Sequence, residues 1–179
     1  HKHLVWVDVR DNIGFKMPGD VTYTINMPSL QYLHFGNNSM VIDKSFGMVN
    51  FPNLLYLYLN GNNITKFPDQ SIVQRLVDLG IARCHLTSLP AYLSKVNKLS
   101  YLDARDNYIG HVDNTLLSLI KKNKMDAYFA GNEVVCSKHE ELDCKPLCSK
   151  YCYKRNSVEN GHCDPECNSK ACKYDGGEC

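Results

Sequence analysis

Residues 54–64 read Leu54-Leu55-Tyr56-Leu57-Tyr58-Leu59-Asn60-Gly61-Asn62-Asn63-Ile64. Apolar side chains stand at Leu54, Leu57, Leu59 and Ile64, an amide stands at Asn62, and Tyr56, Tyr58 and Asn60 fill alternate positions between them. Alternation of this kind marks a short strand with one face buried. The spacing starts again at Leu30, Leu76 and Leu99, and in weaker form at Leu4 and Lys124, in steps of 26, 24, 22, 23 and 25 residues. A unit this short cannot bury its apolar face alone, so successive units must stack and share one core.

The spacing L-x-x-L-x-L-x-x-N-x-L resembles the leucine-rich repeat, whose period is about 20–29 residues. That resemblance implies an α/β solenoid over residues 1–135: a right-handed leucine-rich repeat horseshoe of about six coils with a parallel concave sheet. At the amide position stand Asn12, Asn38, Asn62, Cys84, Asn107 and Asn132. An Asn or Cys there is expected to turn inward and bond the backbone of the loops leaving each strand, forming a ladder. Cys84 therefore reads as a buried, free repeat residue, with a reactive thiol as the poorer alternative. On the convex side, Leu86–Leu93 followed by Val96 and Leu99 predicts a short 3₁₀ or α turn, and Thr115–Ile120 a fuller helical turn. The first repeat begins almost at the terminus with no polar cap before Trp6, so either preceding residues of a longer protein cover it, the reading preferred here, or the first coil caps itself.

Net charge is +1 for 20 basic and 19 acidic residues, which argues against a nucleic-acid partner. Apolar runs are broken within a few residues, well short of the roughly 20 that span a bilayer, so no membrane span is expected within the chain. Cysteine is more telling. Of nine, Cys84 alone lies in residues 1–135, while Cys136, Cys144, Cys148, Cys152, Cys163, Cys167, Cys172 and Cys179 crowd the remainder. This gradient predicts a core that needs no staples, then a tail too small to fold without them. Disulfides at that density place the protein outside the cell, secreted or as a cell-surface ectodomain.

The segment Tyr128–Cys136 with Cys144 resembles the closing segment of extracellular leucine-rich repeat domains, where a disulfide seals the last coil. A Cys136–Cys144 bond is expected over residues 136–147, with Cys136–Cys148 open as the competitor. From Cys148 the spacing reads C-x3-C-x10-C-x3-C-x4-C-x6-C, with Cys163-Asp164-Pro165-Glu166-Cys167-Asn168 inside it and Asp175-Gly176-Gly177 before the last cysteine. Residues 148–179 resemble the Notch repeat, the small calcium-binding disulfide module of Notch receptors. The resemblance implies the bridges Cys148–Cys172, Cys152–Cys167 and Cys163–Cys179. Asn160, Asp164, Asp175 and Glu178 are oxygen donors close to fixed cysteines, the chemistry a hard cation such as Ca²⁺ wants. The resemblance implies contact by Asn160, Asp175 and Glu178, with backbone carbonyls near Ser157 completing the shell. Family members usually carry Asp where Glu178 stands, and the extra methylene displaces its oxygen. The bland alternative is a disulfide knot with solvated carboxylates. Zinc is disfavoured, because the cysteines lack paired short spacings in two clusters.

If the leucines point inward, alternation turns the residues between them onto the sheet's outer face. One column then reads Trp6, Tyr32, Tyr56, Asp78, Tyr101, Asp126, and a second Asp8, His34, Tyr58, Gly80, Asp103, Tyr128, with Arg10 and Arg105 beyond. Aromatic residues beside Arg and Asp have the composition of protein-recognition hot spots. Trp6, Tyr32, His34, Tyr56, Tyr58, Tyr101, Asp103, Arg105 and Tyr128 are thus the expected ligand-binding face, for a protein or peptide. The competing explanation is that cross-strand tyrosines simply stabilise the sheet. No His, Asp and Ser or Cys arrangement falls where a catalytic triad needs it, so no enzyme is expected. A second functional reading is structural: an adhesion ectodomain whose calcium-stabilised module is a rigid spacer next to a membrane anchor. Asn37-Asn38-Ser39 and Asn63-Ile64-Thr65 are N-glycosylation acceptor sequences.

Overall fold

The structure, a computed structural model, describes residues 2–12, 25–42, 49–123, 125–136, 138–139, 142–144, 152, 163 and 165–179. Strands run β1 (Trp6–Asp8), β2 (Ile25–Asn26), β3 (Tyr32–His34), β4 (Val41–Ile42), β5 (Val49–Asn50), β6 (Tyr56–Tyr58) and β7 (Asn63–Ile64). Helix α1 (Gln70–Val73), β8 (Asp78–Gly80), a 3₁₀ turn Ala91–Lys95, β9 (Tyr101–Asp103), α2 (Asn114–Asn123), β10 (Asp126–Tyr128) and α3 (Glu133–Cys136) follow. The chain divides into two compact units, His1–Cys144 and Lys145–Cys179.

In the first unit, six strands pair in chain order, β1-β3-β6-β8-β9-β10, every neighbour parallel. Register is continuous: Val7, Leu33, Leu57, Leu79, Leu102 and Ala127 are successive partners. Their column faces the core, with Leu33, Leu57, Leu79 and Leu102 at 1 % exposure or less. Leu30, Leu54, Leu76 and Leu99 pack behind them with Phe35, Leu59, Ile81, Ala104 and Phe129. Each buried leucine gains about 1.5–3 kcal/mol over an exposed one. Lys124, read as the start of the sixth repeat, lies outside the described residues; Met125 beside it is buried in the core.

The amides hold successive repeats together. Asn62 Nδ2 donates to Phe35 O and Leu59 O at 2.9 Å, while its Oδ1 accepts from Met40 N at 2.8 Å. Asn38, Asn107 and Asn132 repeat that arrangement in their own repeats. Cys84 substitutes in part: its Sγ donates to Leu59 O at 3.3 Å, and Ile64 N is taken up by the Cys84 carbonyl. Burial pushes the Cys84 thiol up to about 12, an inert group rather than a nucleophile. Immediately before each ladder residue the chain turns left-handed, at Asp11, Asn37, Gly61, Arg83, Asp106 and Gly131. At Gly61, where φ is +70°, a Cβ would stand 2.4 Å from Asn37 Oδ1.

Away from the sheet, the chain closes each repeat differently. Asp69 caps α1 by accepting from Ser71 N at 2.9 Å. Tyr92, on the 3₁₀ turn, donates its hydroxyl to Pro68 O. Helix α2 turns Leu116, Leu117 and Ile120 inward. A disulfide joins Cys136 to Cys144, and Asp143 bridges to Tyr128 in β10. Both belong to the first unit.

The second unit is built otherwise. Its buried cluster is Cys152, Cys167 and Cys172. Three 3₁₀ turns, Pro165–Cys167, Lys170–Cys172 and Asp175–Gly177, follow one another. Lys173, Tyr174, Asp175, Gly176 and Gly177 all have positive φ, a left-handed run that costs non-glycine residues about 1–2 kcal/mol each. Disulfide-bonded Cys172 and Cys179 bracket that run.

Candidate functional site

Because strand side chains alternate, the residues between the core leucines of β1, β3 and β6 share one face. Their rings touch across the strands. Trp6 stacks on Tyr32 with centroids 3.4 Å apart and planes 3° from parallel. Tyr32 in turn lies 6.2 Å from Tyr56 and 5.6 Å from Tyr58, and His34 stacks on Tyr58 at 5.2 Å. Tyr32 is therefore the hub of a cluster of five rings, each close pair worth about 0.5–1.5 kcal/mol beyond its buried area. Trp6 stays 58 % exposed, while Tyr32, Tyr56 and Tyr58 are half-buried.

Glycines make room for this cluster. A Cβ on Gly80 would meet Tyr58 Cδ1 at 2.7 Å and the Asn60 amide at 2.9 Å. A Cβ on Gly36 would meet His34 Cε1 at 2.6 Å. Gly80 was legible as a bare position in its column, yet ring spacing alone does not point to it or to Gly36. Asp78 is a second contributor the reading of ring positions missed: its Oδ2 accepts from Tyr58 Oη at 2.8 Å. Burial first, and then the Asp78 carboxylate, hold the Tyr58 phenol far above its ordinary range.

On β9 and β10 the expectation of an open face is corrected. Tyr101, Asp103, Arg105 and Tyr128 are all buried, Asp103 completely, and His34 is buried too. The physical reason is that these side chains bond to and cover each other. Arg105 folds back on Asp103 through Nε–Oδ1 and Nη2–Oδ2 bonds of 2.7 Å each, a two-point ion pair. Tyr101 and Tyr128 pack at 5.6 Å. His34 Nδ1 accepts the Gly36 N–H at 3.0 Å, so that lone pair is engaged. Burial would lower the Arg105 pKa, but its bond to Asp103 and that charge win and raise it. Burial likewise lifts the Tyr101 phenol, with Asp103 adding to the effect. Asn60 is buried as well, its Oδ1 accepting from Ala82 N at 2.8 Å.

The C-terminal unit gathers a different set. Disulfides join Cys152 to Cys167 and Cys163 to Cys179. Cys172 is disulfide-bonded, and its expected partner Cys148 lies outside the described residues. So do Asn160, Asp164 and Ser157. Of the expected calcium ligands, Asp175 and Glu178 are described. The left-handed turn carries the Asp175 carboxylate wholly inside, at 0 % exposure, and leaves Glu178 half-buried. Oδ2 of Asp175 lies 3.8 Å from Cys179 Sγ, a disulfide sulfur with no proton to give. A carboxylate this deeply buried, with a second one three residues on, fits a hard cation and its oxygen-donor preference. Among the described residues no group of three or more His, Cys, Asp and Glu could hold a metal ion. No helix among them is long and apolar enough to cross a membrane.

Two family matches accompany this geometry. Residues 142–179 match the LNR domain of the Notch family, and residues 53–73 match the Leucine Rich Repeat. No curated protein and no solved structure matches the chain.

Proposed function

We propose that this chain, which carries a leucine-rich repeat and a C-terminal LNR module, is an extracellular recognition domain that binds a protein or peptide. Both modules belong to non-enzymatic families. The observation that carries the reading is the ring cluster at the β1 end of the sheet, where Trp6 is exposed and Tyr32, Tyr56 and Tyr58 are half-buried. Large, rigid aromatic side chains give contact area at little cost in rotamer freedom. On this reading the six parallel strands line the concave side of a leucine-rich horseshoe, and binding centres on Trp6, Tyr32, Tyr56 and Tyr58. Tyr101, Asp103, Arg105 and Tyr128 then hold the sheet beneath rather than touching the ligand.

The test uses a displayed peptide library selected on the folded chain. Tyr56→Ala and Tyr58→Ala together, and Trp6→Ala alone, are expected to weaken the selected peptides at least tenfold, while Lys121→Ala on α2 leaves them unchanged. Peptides that keep their affinity for the tyrosine variant would place the site elsewhere.

The LNR module, on the same reading, holds Ca²⁺ through Asp175 and Glu178, with Asn160, Asp164 and the Ser157 carbonyl as further oxygen donors. Calcium takes oxygen ligands, and the buried Asp175 carboxylate with Glu178 three residues on would supply that donor chemistry. Calcium should raise amide protection at residues 170–179 in hydrogen exchange, and Asp175→Asn should abolish the response. Protection that ignores calcium in the unaltered chain would remove the metal from this account.

A further inference from the structure

The two glycosylation acceptor sequences fall in unlike surroundings. Asn37 is half-buried, has φ of +57°, and donates its Nδ2 to Asp11 Oδ1 at 2.9 Å. Its Oδ1 lies where a Cβ on Gly61 would come within 2.4 Å, and the following residue Asn38 is buried in the ladder. The amide nitrogen that would carry a sugar is thus engaged, and the backbone around it is fixed by close packing.

Asn63 lies on β7 with its side chain exposed. Its neighbour in register on β4 is Val41, and the alternation of both strands puts Ile42 and Ile64 inside and Val41 and Asn63 outside. Val41 is 58 % exposed, one of few large aliphatic side chains so placed among the described residues. Thr65, the third residue of the acceptor sequence, is also exposed.

We infer that Asn63, and not Asn37, carries an N-linked oligosaccharide, whose first sugar lays its C–H face over Val41. In the transfer, Nδ2 of Asn63 bonds to C1 of the sugar of a lipid-linked oligosaccharide diphosphate. The C1–O bond to the diphosphate breaks, the lipid diphosphate leaves, and one amide proton passes to solvent. Because transfer precedes folding, the discrimination acts afterwards: a sugar on Asn37 Nδ2 has to fit where that nitrogen sits against Asp11 Oδ1 beside Gly61, so chains modified there fold and are secreted less well, whereas Asn37→Gln adds no such bulk. Covering Val41 removes apolar surface from water and stabilises the β4–β7 pair.

The inference rests on the extracellular reading, and the experiment separates the two. The whole chain is directed into the secretory pathway of a cultured animal cell by an added leader, so its native compartment is not at issue. Secreted protein is treated with a glycan-releasing amidase that converts the carrying Asn to Asp, and both peptides are sequenced by mass spectrometry. Conversion at residue 63 with little or none at residue 37 is expected, and Asn63→Gln should abolish the glycan whereas Asn37→Gln keeps it. Conversion at residue 37 equal to that at 63, or none at either, overturns the assignment. Native enzymatic removal of the glycan should lower Tm by about 2 °C, and less in Val41→Ser. An unchanged Tm, or an equal shift in Val41→Ser, overturns the contact with Val41. Reduced, unmodified protein from its natural source would instead refute the extracellular reading.

Discussion

The sheet unit buries Leu33, Leu57, Leu79 and Leu102, whereas the buried cluster of the C-terminal unit is Cys152, Cys167 and Cys172. In the first, six strands share one continuous core, so each repeat gains from its neighbours and covalent bonds are needed only at the Cys136–Cys144 end. In the second, too few apolar side chains exist to offset chain entropy, and bridges restrict the unfolded state instead. The difference is that leucine burial is spread over many contacts, while a disulfide framework concentrates stability in a few bonds. Chemistry that breaks one kind of support should spare the other.

Reduction should give the largest separation. With excess thiol, residues 165–179 are expected to lose amide protection entirely, since each native bridge of a small module contributes about 2–5 kcal/mol. The strands β1, β3, β6, β8, β9 and β10 should keep theirs, with fraying confined to residues 133–144. Loss of protection at Leu57 and Leu79 under the same conditions would mean that the units are not held by separate means. The converse perturbation is Leu57→Ala, which should cost the sheet about 2–5 kcal/mol through lost burial and the cavity left behind. Denaturant unfolding followed by exchange at residues 170–179 reads both halves at once, and those residues should be unaffected.

A smaller effect tests the ladder within the sheet unit. Asn107→Ala removes the donor to Ile81 O and Ala104 O and leaves the Cys84 and Leu86 N–H groups without their acceptor. A buried N–H left unmade costs about 1–3 kcal/mol, so a loss of about 2–3 kcal/mol is expected. Cys84→Ala should cost about 1 kcal/mol, because only a weak Sγ donor goes and Ile64 N keeps its bond to the backbone carbonyl. Equal losses in equilibrium unfolding would contradict the unequal bonding of the two ladder residues.

Strand register was legible because period-two alternation is decided by adjacent residues, and Trp6, Tyr32, Tyr56, Asp78, Tyr101 and Asp126 align as their spacing requires. Ladder amides were legible for the same reason. Exposure was not. Whether Asp103 faces water depends on Arg105 folding back over it, a rotamer choice that spacing does not encode. The left-handed turn before each ladder residue was present in the sequence as Asp11, Asn37, Gly61, Asp106 and Gly131, residue types that accept positive φ, and only Arg83 departs from that chemistry. In the tail, cysteine spacing and a family resemblance carried the reading, while the interior position of Asp175 follows from a left-handed run that needs the folded chain to be seen.

The mildest contrast between the units lies in their caps. Asp69 caps α1 with a carboxylate, and Ser169 caps the Lys170–Cys172 turn with a hydroxyl that accepts from Cys172 N at 3.3 Å. The bonds from Ser71 to Asp69, backbone first and side chain second, hold the Asp69 carboxyl below its ordinary value. A carboxyl whose pKa is lower folded than unfolded gives stability that is present above the unfolded value, about 4, and is lost as pH falls through the folded one. Serine has no such dependence. Acidification from neutrality should therefore fray Gln70–Val73 while leaving residues 170–172 protected, and Asp69→Asn should flatten the response because its amide oxygen still caps but does not titrate. Because Asp69 lies open to solvent, the change should be seen in amide exchange of the first helical turn rather than in global unfolding. A pH response of equal size in both caps would show that acid acts on the whole molecule and not through this carboxylate.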